Sequence, residues 1–311
     1  MRAKKISSLM FVSTLLVAVQ AFGKIEGDLK RSFSTGKGGT LTLETDLGSI
    51  DVKTHDRDQV EIEIDFKSSN SRKLQSFYND FDVEFRQESK DVYVKAEYTR
   101  DQWNFWDSIA KDIQVSFYVT LPRQYHLALS TAGGSITVSE LEGQVEANTS
   151  GGSLNFGVIL GPITGRTSGG SISVESCDGR VDVKTSGGSI HLGKVMGNVY
   201  ARTSGGSIHV DEVKGSIDAA TSGGPVSAMI SEQPVEDCKL QTSGGGIRIT
   251  LAENIKFDVD AKTSGGGIKT DHPISLQGEI SSSVLRGKVN GGGPLMYLRT
   301  SGGSIYLKKK E

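Results

Sequence analysis

A chain of 311 residues would ordinarily divide into two domains, and a balance of 35 basic against 37 acidic side chains leaves a formal net charge of −2. That balance excludes a general nucleic-acid binder, which needs a cationic surface to neutralise phosphates. The two cysteines, Cys177 and Cys238, permit at most one disulfide.

Residues 1–23 read as a secretory signal peptide. Arg2, Lys4 and Lys5 precede the apolar run Leu9–Val19, and Ala21-Phe22-Gly23 forms a small-x-small cleavage site. The run is shorter than the ~20 residues a membrane span needs, so no integral span is expected after processing. No cysteine follows it to carry a lipid. The expectation is an exported protein of the periplasm, the outer surface or the medium, and the mature chain loses three positive charges.

Residues 24–130 form a strand-rich N-terminal region. Alternating segments lie at Thr40–Thr45, Ser49–Thr54, Val60–Phe66, Phe81–Gln87, Val92–Glu97, Ile113–Leu121 and His126–Ser130. Thr45–Val52 is a degenerate copy of a unit that recurs downstream, so a solenoid is expected to start here and to be interrupted by an insertion at about 67–125. Two polar stretches, Asn70–Asp80 and Thr99–Asp112, are expected as short helices or loops that cap the open end of a rod.

From residue 131 to 311 the chain repeats itself. Thr-Ser-Gly-Gly-Ser-Ile occurs at Thr167–Ile172, Thr185–Ile190, Thr203–Ile208 and Thr300–Ile305, with looser copies beginning at Thr131, Thr149, Thr221, Thr242 and Thr263. From Thr131 to Thr221 the step is a constant 18 residues. A fixed period of this length marks a β-solenoid, whose core can lengthen without limit, so one continuous all-β rod is permitted. With Thr as position 0, position 5 is apolar in every copy (Ile136, Leu154, Ile172, Ile190, Ile208) and position 7 shares its face (Val138, Phe156, Val174, Leu192, Val210). Positions 14 and 16 write a second strand (Val181/Val183, Val199/Ala201), whose alternation carries the next Thr inward. Apolar residues at position 10 are placed between the strands, and Gly at position 12 marks the opposite corner. Coils of two or three short strands, stacked at ~4.8 Å, would build a rod on the order of 45–50 Å long. A hexapeptide left-handed helix has the same 18-residue period but needs apolar residues every six, which these units lack.

After Val226 the units lengthen. The 37 residues between Thr263 and Thr300 read as two coils, the second without its Ser-Gly-Gly, and Lys308-Lys309-Lys310 read as charge that blunts a sheet terminus. Stacking places Cys177 and Cys238 in different coils ~14 Å apart, beyond the ~7 Å Cα limit of a disulfide, so both are expected as buried free thiols.

The repeated Thr-Ser-Gly-Gly-Ser-Ile units, the Leu121-Pro122 pair that leads into them and the secreted strand-rich N-terminal part resemble the bacterial putative-adhesin β-strand-repeat family, a domain family of unknown function. The resemblance covers about residues 40–308. It implies an exported β-solenoid of the cell envelope and carries over no catalytic residues, so no enzyme and no cofactor are expected.

Two surfaces are candidates for binding. The residue before each Thr forms an outward column in which Arg166, Lys184 and Arg202 succeed one another, with Tyr200 beside them. Evenly spaced cations suit an extended anionic envelope glycan bound at many weak points. None of the three lies in the core, so reversing all of them is expected to leave the melting temperature nearly unchanged. The rival surface is Trp103 and Trp106 in the insertion, a platform for a sugar or for an envelope protein. His191, His209 and Asp211 share one outward face, but nothing in the sequence orients the rings, so no metal is expected. A self-associating structural rod is the alternative to an adhesin. A polysaccharide-acting β-helix enzyme is more distant, because such enzymes gather catalytic groups on side loops that these coils lack.

Overall fold

The computed structural model describes residues 28–99, 112–276 and 281–310. The proposed leader, Trp103 and Trp106 lie outside these residues. In chain order the N-terminal part runs β1 (Leu29–Ser34), β2 (Thr40–Thr45), β3 (Ser49–His55), β4 (Gln59–Ser68), α1 (Ser71–Asp80), β5 (Phe81–Glu88), β6 (Asp91–Tyr98) and β7 (Ile113–Pro122). The regular array follows as pairs: β8 (His126–Thr131) and β9 (Ile136–Glu142), β10 (Val145–Thr149) and β11 (Leu154–Leu160), β12 (Ile163–Arg166) and β13 (Ile172–Cys177). It continues through β14 (Val181–Lys184) and β15 (Ile190–Val195), β16 (Val199–Arg202) and β17 (Ile208–Val213), β18 (Ile217–Thr221) and β19 (Val226–Ile230). The last elements are β20 (Cys238–Thr242), β21 (Ile247–Leu251), β22 (Phe257–Thr263), β23 (Ile268–Thr270), β24 (Ile274–Leu276), β25 (Val284–Val289), β26 (Leu295–Thr300) and β27 (Ile305–Lys309).

Each repeat unit contributes one strand to each of two long sheets, of 13 and 14 strands, so the protein is an all-β solenoid of two-strand coils. Identical positions stack in register: Ile172 on Ile190 on Ile208 in one sheet, Val181 on Val199 on Ile217 in the other. The inward columns at positions 5, 7, 14 and 16 are buried through the regular array, and Ile190, Leu192, Val183 and Ala201 expose at most 1% of their surface; in the marginal β23, Ile268 and Thr270 are partly exposed. Position 10 belongs to the first strand, where the chain shows two consecutive outward residues before turning in again. In β13 Glu175 and Ser176 face out between buried Val174 and Cys177. This irregularity, and not a separate strand, explains why the apolar spacing changes from two to three.

Chain order and spatial order part company at both ends. The β2/β3 coil lies between the β6/β7 coil and the β8/β9 coil, so the first coil in sequence is enclosed by later ones. At the other end β26 pairs with β20 on one side and β22 on the other, and β27 lies between β21 and β23. The stretch from Thr263 to Thr300 therefore is not two coils. It holds the short β23 and then β24 and β25, which run antiparallel, with β25 paired to β22 as a terminal flap. Nor does the lysine run end a sheet, since β27 is flanked on both sides; the sheet margins are β1, β23, β24 and β5. Two of these edges are only three residues long, which limits what they can template.

Asn70–Asp80 resolves into a helix and its cap. The Asn70 side chain accepts hydrogen bonds from the backbone N–H groups of Arg72 and Lys73 at 3.0 and 3.2 Å, satisfying two of the helix's free donors. The helix buries Phe77 and Tyr78 at the N-terminal end of the rod, where Phe77 stacks on Phe81 at 4.8 Å and Phe66 meets Tyr78 edge-on at 5.4 Å. No helix among the described residues is long and apolar enough to cross a membrane.

Both thiols are free and buried. Burial pushes each up from its ordinary value of 9.0 to about 11. The folded protein is accordingly expected to resist alkylation at pH 8 and to react at both sites once denatured, without reductant; labelling followed by mass spectrometry checks this. The sign of the linkage follows from the raised values. Below pH 9 both states hold the protons, whereas between about 9 and 11 the unfolded chain releases protons that the fold retains, so stability falls as pH rises through that window.

Candidate functional site

The Thr-Ser-Gly-Gly corner is built from hydrogen bonds that pass from coil to coil. The Thr185 hydroxyl donates to the Gly170 carbonyl of the preceding coil at 2.7 Å and accepts from its own Gly188 N–H at 3.3 Å. Thr167, Thr203 and Thr221 repeat the donation at the same length. The second Ser of the motif adds another rung, since Ser189 N–H donates to Ser171 Oγ at 3.2 Å and Ser207 N–H to Ser189 Oγ at 3.1 Å. The buried Thr of each repeat from Thr131 onward is thereby satisfied at a turn that exposes backbone groups, each bond adding on the order of 1 kcal/mol. Gly is required at position 3 because the coils touch there. A Cβ on Gly188 would stand 2.2 Å from the Gly170 carbonyl oxygen.

With Thr turned inward, the first Ser of each motif is left outside. Ser150, Ser168 and Ser186 are exposed and, with Asn148, Arg166 and Lys184, line a shallow cleft that runs across successive coils. Farther along the same corner a second cleft repeats the composition with Ser243, Ser264, Ser301, Gln241, Lys262 and Arg299. The rod thus presents hydroxyls and amides at the coil spacing, flanked by the outward column of cations.

Those cations are not equivalent. Arg166 Nη2 lies 2.6 Å from Asp182 Oδ1 and its Nη1 donates to the Asp182 carbonyl at 2.8 Å. Arg202 repeats the arrangement on Asp218, at 2.5 Å to the carboxylate and 2.7 Å to the carbonyl, with its guanidinium 4.1 Å from the Tyr200 ring centre. Arg299 does the same with Asp260 and Tyr297. Burial alone would raise the Asp260 carboxyl, but Arg299 and Arg286 together hold it below the ordinary carboxylate range.

The rule is that an Arg before Thr reaches the residue three before Thr in the next coil. Lys184 breaks it, because that residue is Tyr200. Among the described residues Lys184 has no carboxylate partner and is exposed, between Arg166 and Arg202 in the ladder. The expectation that reversal of all three cations leaves stability untouched is thereby corrected. Arg166→Glu or Arg202→Glu would set two carboxylates against each other, while Lys184→Glu would be flanked by two guanidinium groups. Sequence spacing placed Arg166, Lys184 and Arg202 in one outward column, but their diagonal pairing with Asp182 and Asp218 depends on which coil stacks on which.

No curated protein matches the chain. Among solved structures, one called a putative adhesin from Parabacteroides merdae aligns over 92% of this chain and 97% of its own, at 12% identity and a TM-score of 0.40. Another of that description, from Bacteroides fragilis, covers 91% of this chain and 98% of its own at 10% identity and a TM-score of 0.39. A Parabacteroides distasonis structure called a putative lipid binding protein covers 92% and 98% at 11% identity and a TM-score of 0.38. The family model described as Toastrack DUF4097 matches residues 39–307, and the chain belongs to that family.

Proposed function

We propose that the protein is an exported, non-enzymatic envelope solenoid that binds an extended anionic glycan along the Thr-Ser-Gly-Gly corner. The observation that carries this reading is the recurrence of one cleft, Ser hydroxyls with a neighbouring lysine that has no ion-pair partner among the described residues, at two places on the same corner. Lys184 serves the first and Lys262 the second. The paired arginines contribute direction and hydrogen-bonding edges more than net charge, so each cleft holds the polymer weakly and affinity comes from simultaneous contact. Growth of the rod into a fibre by edge pairing at its C-terminal end is disfavoured by the three-residue margins β23 and β24 and the antiparallel flap.

The test is retention of the chain by an acidic envelope polysaccharide, followed against salt and compared across variants. Binding is expected to weaken steeply with salt, since exposed charges are screened over ~8–10 Å at physiological ionic strength. The double variant Lys184→Glu/Lys262→Glu should lose it with its fold intact, because the side chain at 184 has no ion pair to break and substitutions at such exposed positions stay within about 0.5 kcal/mol. Salt-insensitive binding that survives this variant but disappears in Trp103→Ala/Trp106→Ala would overturn the corner as the site. So would the absence of binding by any version.

A further inference from the structure

On the outer face of the other sheet, the two histidines at position 6 of adjacent coils stack in one ladder. His191 and His209 are register partners, with ring centres 5.3 Å apart and planes within 15°. Asp211, two residues beyond His209 on the same strand, turns its carboxylate toward both. Oδ1 lies 2.8 Å from His209 Nε2 and Oδ2 lies 3.5 Å from His191 Nε2. The place equivalent to Asp211 in the preceding coil is Gly193, which has no side chain to stand in the way. The three ligand atoms all fall within 4.8 Å of one another. Around a tetrahedral zinc ion, with bonds of ~2.0–2.1 Å, ligand atoms stand about 3.3 Å apart, so small side-chain rotations close the set.

What the sequence could not show is the group behind the ring. His209 Nδ1 is 2.5 Å from Ser227 Oγ, its register partner in the next coil. A serine hydroxyl both donates and accepts, so it serves either tautomer of the ring without moving. With no metal bound, Nε2–H donates to Asp211 and Ser227 donates to Nδ1. With a metal bound, Nδ1–H donates to Ser227 and the Nε2 lone pair is free to coordinate. This is the arrangement by which metal-ligating histidines are oriented. On the other side of the pair, Ser173 is the register partner of His191.

We infer that His191, His209 and Asp211 form a site for a divalent cation of the zinc class, bound by His191 Nε2, His209 Nε2 and the Asp211 carboxylate. Two imidazoles and one carboxylate favour zinc, nickel or copper over the all-oxygen demands of calcium and magnesium. The side chains are about half exposed, at 52%, 52% and 50%, so the remaining coordination position faces solvent and is open to an oxygen ligand from outside the protein. The ion would also tie β15 to β17 across the sheet.

The experiment is titration of the purified chain with Zn2+ alone, by calorimetry and by competition with a chromophoric chelator. Thermal melting, in which an ion bound only by the folded state raises Tm, is the second readout. One equivalent is expected to bind. His191→Ala, His209→Ala and Asp211→Asn should each remove that binding and the Tm increase together, while leaving the metal-free Tm unchanged because all three side chains are exposed. Ser227→Ala should weaken binding by roughly tenfold, the low end for a group that orients a ligand. A Co2+ form should show the intense visible bands of a tetrahedral centre. Absence of stoichiometric binding, or binding indifferent to the three ligand substitutions and so held by His55, His126 or His272, would overturn the inference.

Discussion

Gly152→Ala should unfold the protein at a markedly lower temperature than Gly151→Ala, although the two residues are neighbours in the same corner. A Cβ on Gly152 would stand 2.0 Å from the Gly134 carbonyl oxygen and 2.3 Å from its carbon, which are backbone atoms of the preceding coil and cannot swing aside. The same atom on Gly151 would be 3.4 Å from the Gly133 carbonyl, an ordinary contact. Relief of the first clash requires the coils to separate where Thr149 Oγ1 donates to that same Gly134 carbonyl at 2.8 Å. Overpacking of this kind costs ~3 kcal/mol, and the lost corner bond adds on the order of 1 kcal/mol. Gly151→Ala should stay within about 0.5 kcal/mol, as exposed substitutions do. Equal melting temperatures for the two would refute the contact geometry of the corner.

Removal of residues 294–311 should be more damaging than its position at the end of the chain suggests. β26 and β27 are not the last coil of the rod but the one on which β22 and β23 are seated. Without them β22 and β23 lose their only parallel neighbours among the described strands, the antiparallel β24/β25 flap attached to β22 loses its seat, and the β20/β21 coil, with Leu240 and Ile249 fully buried, loses its cover on that side. Limited proteolysis of the truncated protein is expected to digest it back to about residue 251 while the regular array persists. In the intact chain Leu298→Asp should produce a similar loss, since an unpaired charge at a fully buried position costs several kcal/mol. A truncated protein with residues 257–289 still protected would contradict the enclosed placement of the terminal coil.

Most of the coil was legible from its residues. Period and alternation assign Ile190 inward, Ser173 outward and Thr185 to the corner, because a two-residue side-chain period leaves no freedom once one face is apolar. The free thiols follow from the same stacking. The order of coils at the ends was not legible, for a physical reason. A parallel backbone ladder is indifferent to side chains, and Thr242, Thr263 and Thr300 offer one another identical corners. Thr263 stacks as well on Thr300 as it would have on Thr242, and β25, which pairs antiparallel along β22, occupies the edge on which a further parallel coil would have been seated. The same ambiguity hid the clefts' true charge. The partner of Arg299 is Asp260, which comes 39 residues before it. For the histidines, the period fixed their stacking, but Ser227 lies 18 residues beyond His209 and reads there as one more outward residue.

The enclosed terminal coil also sets the order in which the molecule can be completed. Through the regular array each new strand finds its partner 18 residues back, as Thr149 finds Thr131, so coils can close one after another as the chain is delivered. Thr300 must instead find Thr242, 58 residues back. Closing the longer loop costs about 1 kcal/mol more in chain entropy. Until it closes, β22 has no parallel neighbour and its open edge is free to pair with another molecule. Completion of the rod therefore waits on β26 and β27, and aggregation of preparations is expected to follow the concentration of unfinished chains more than the stability of the finished one.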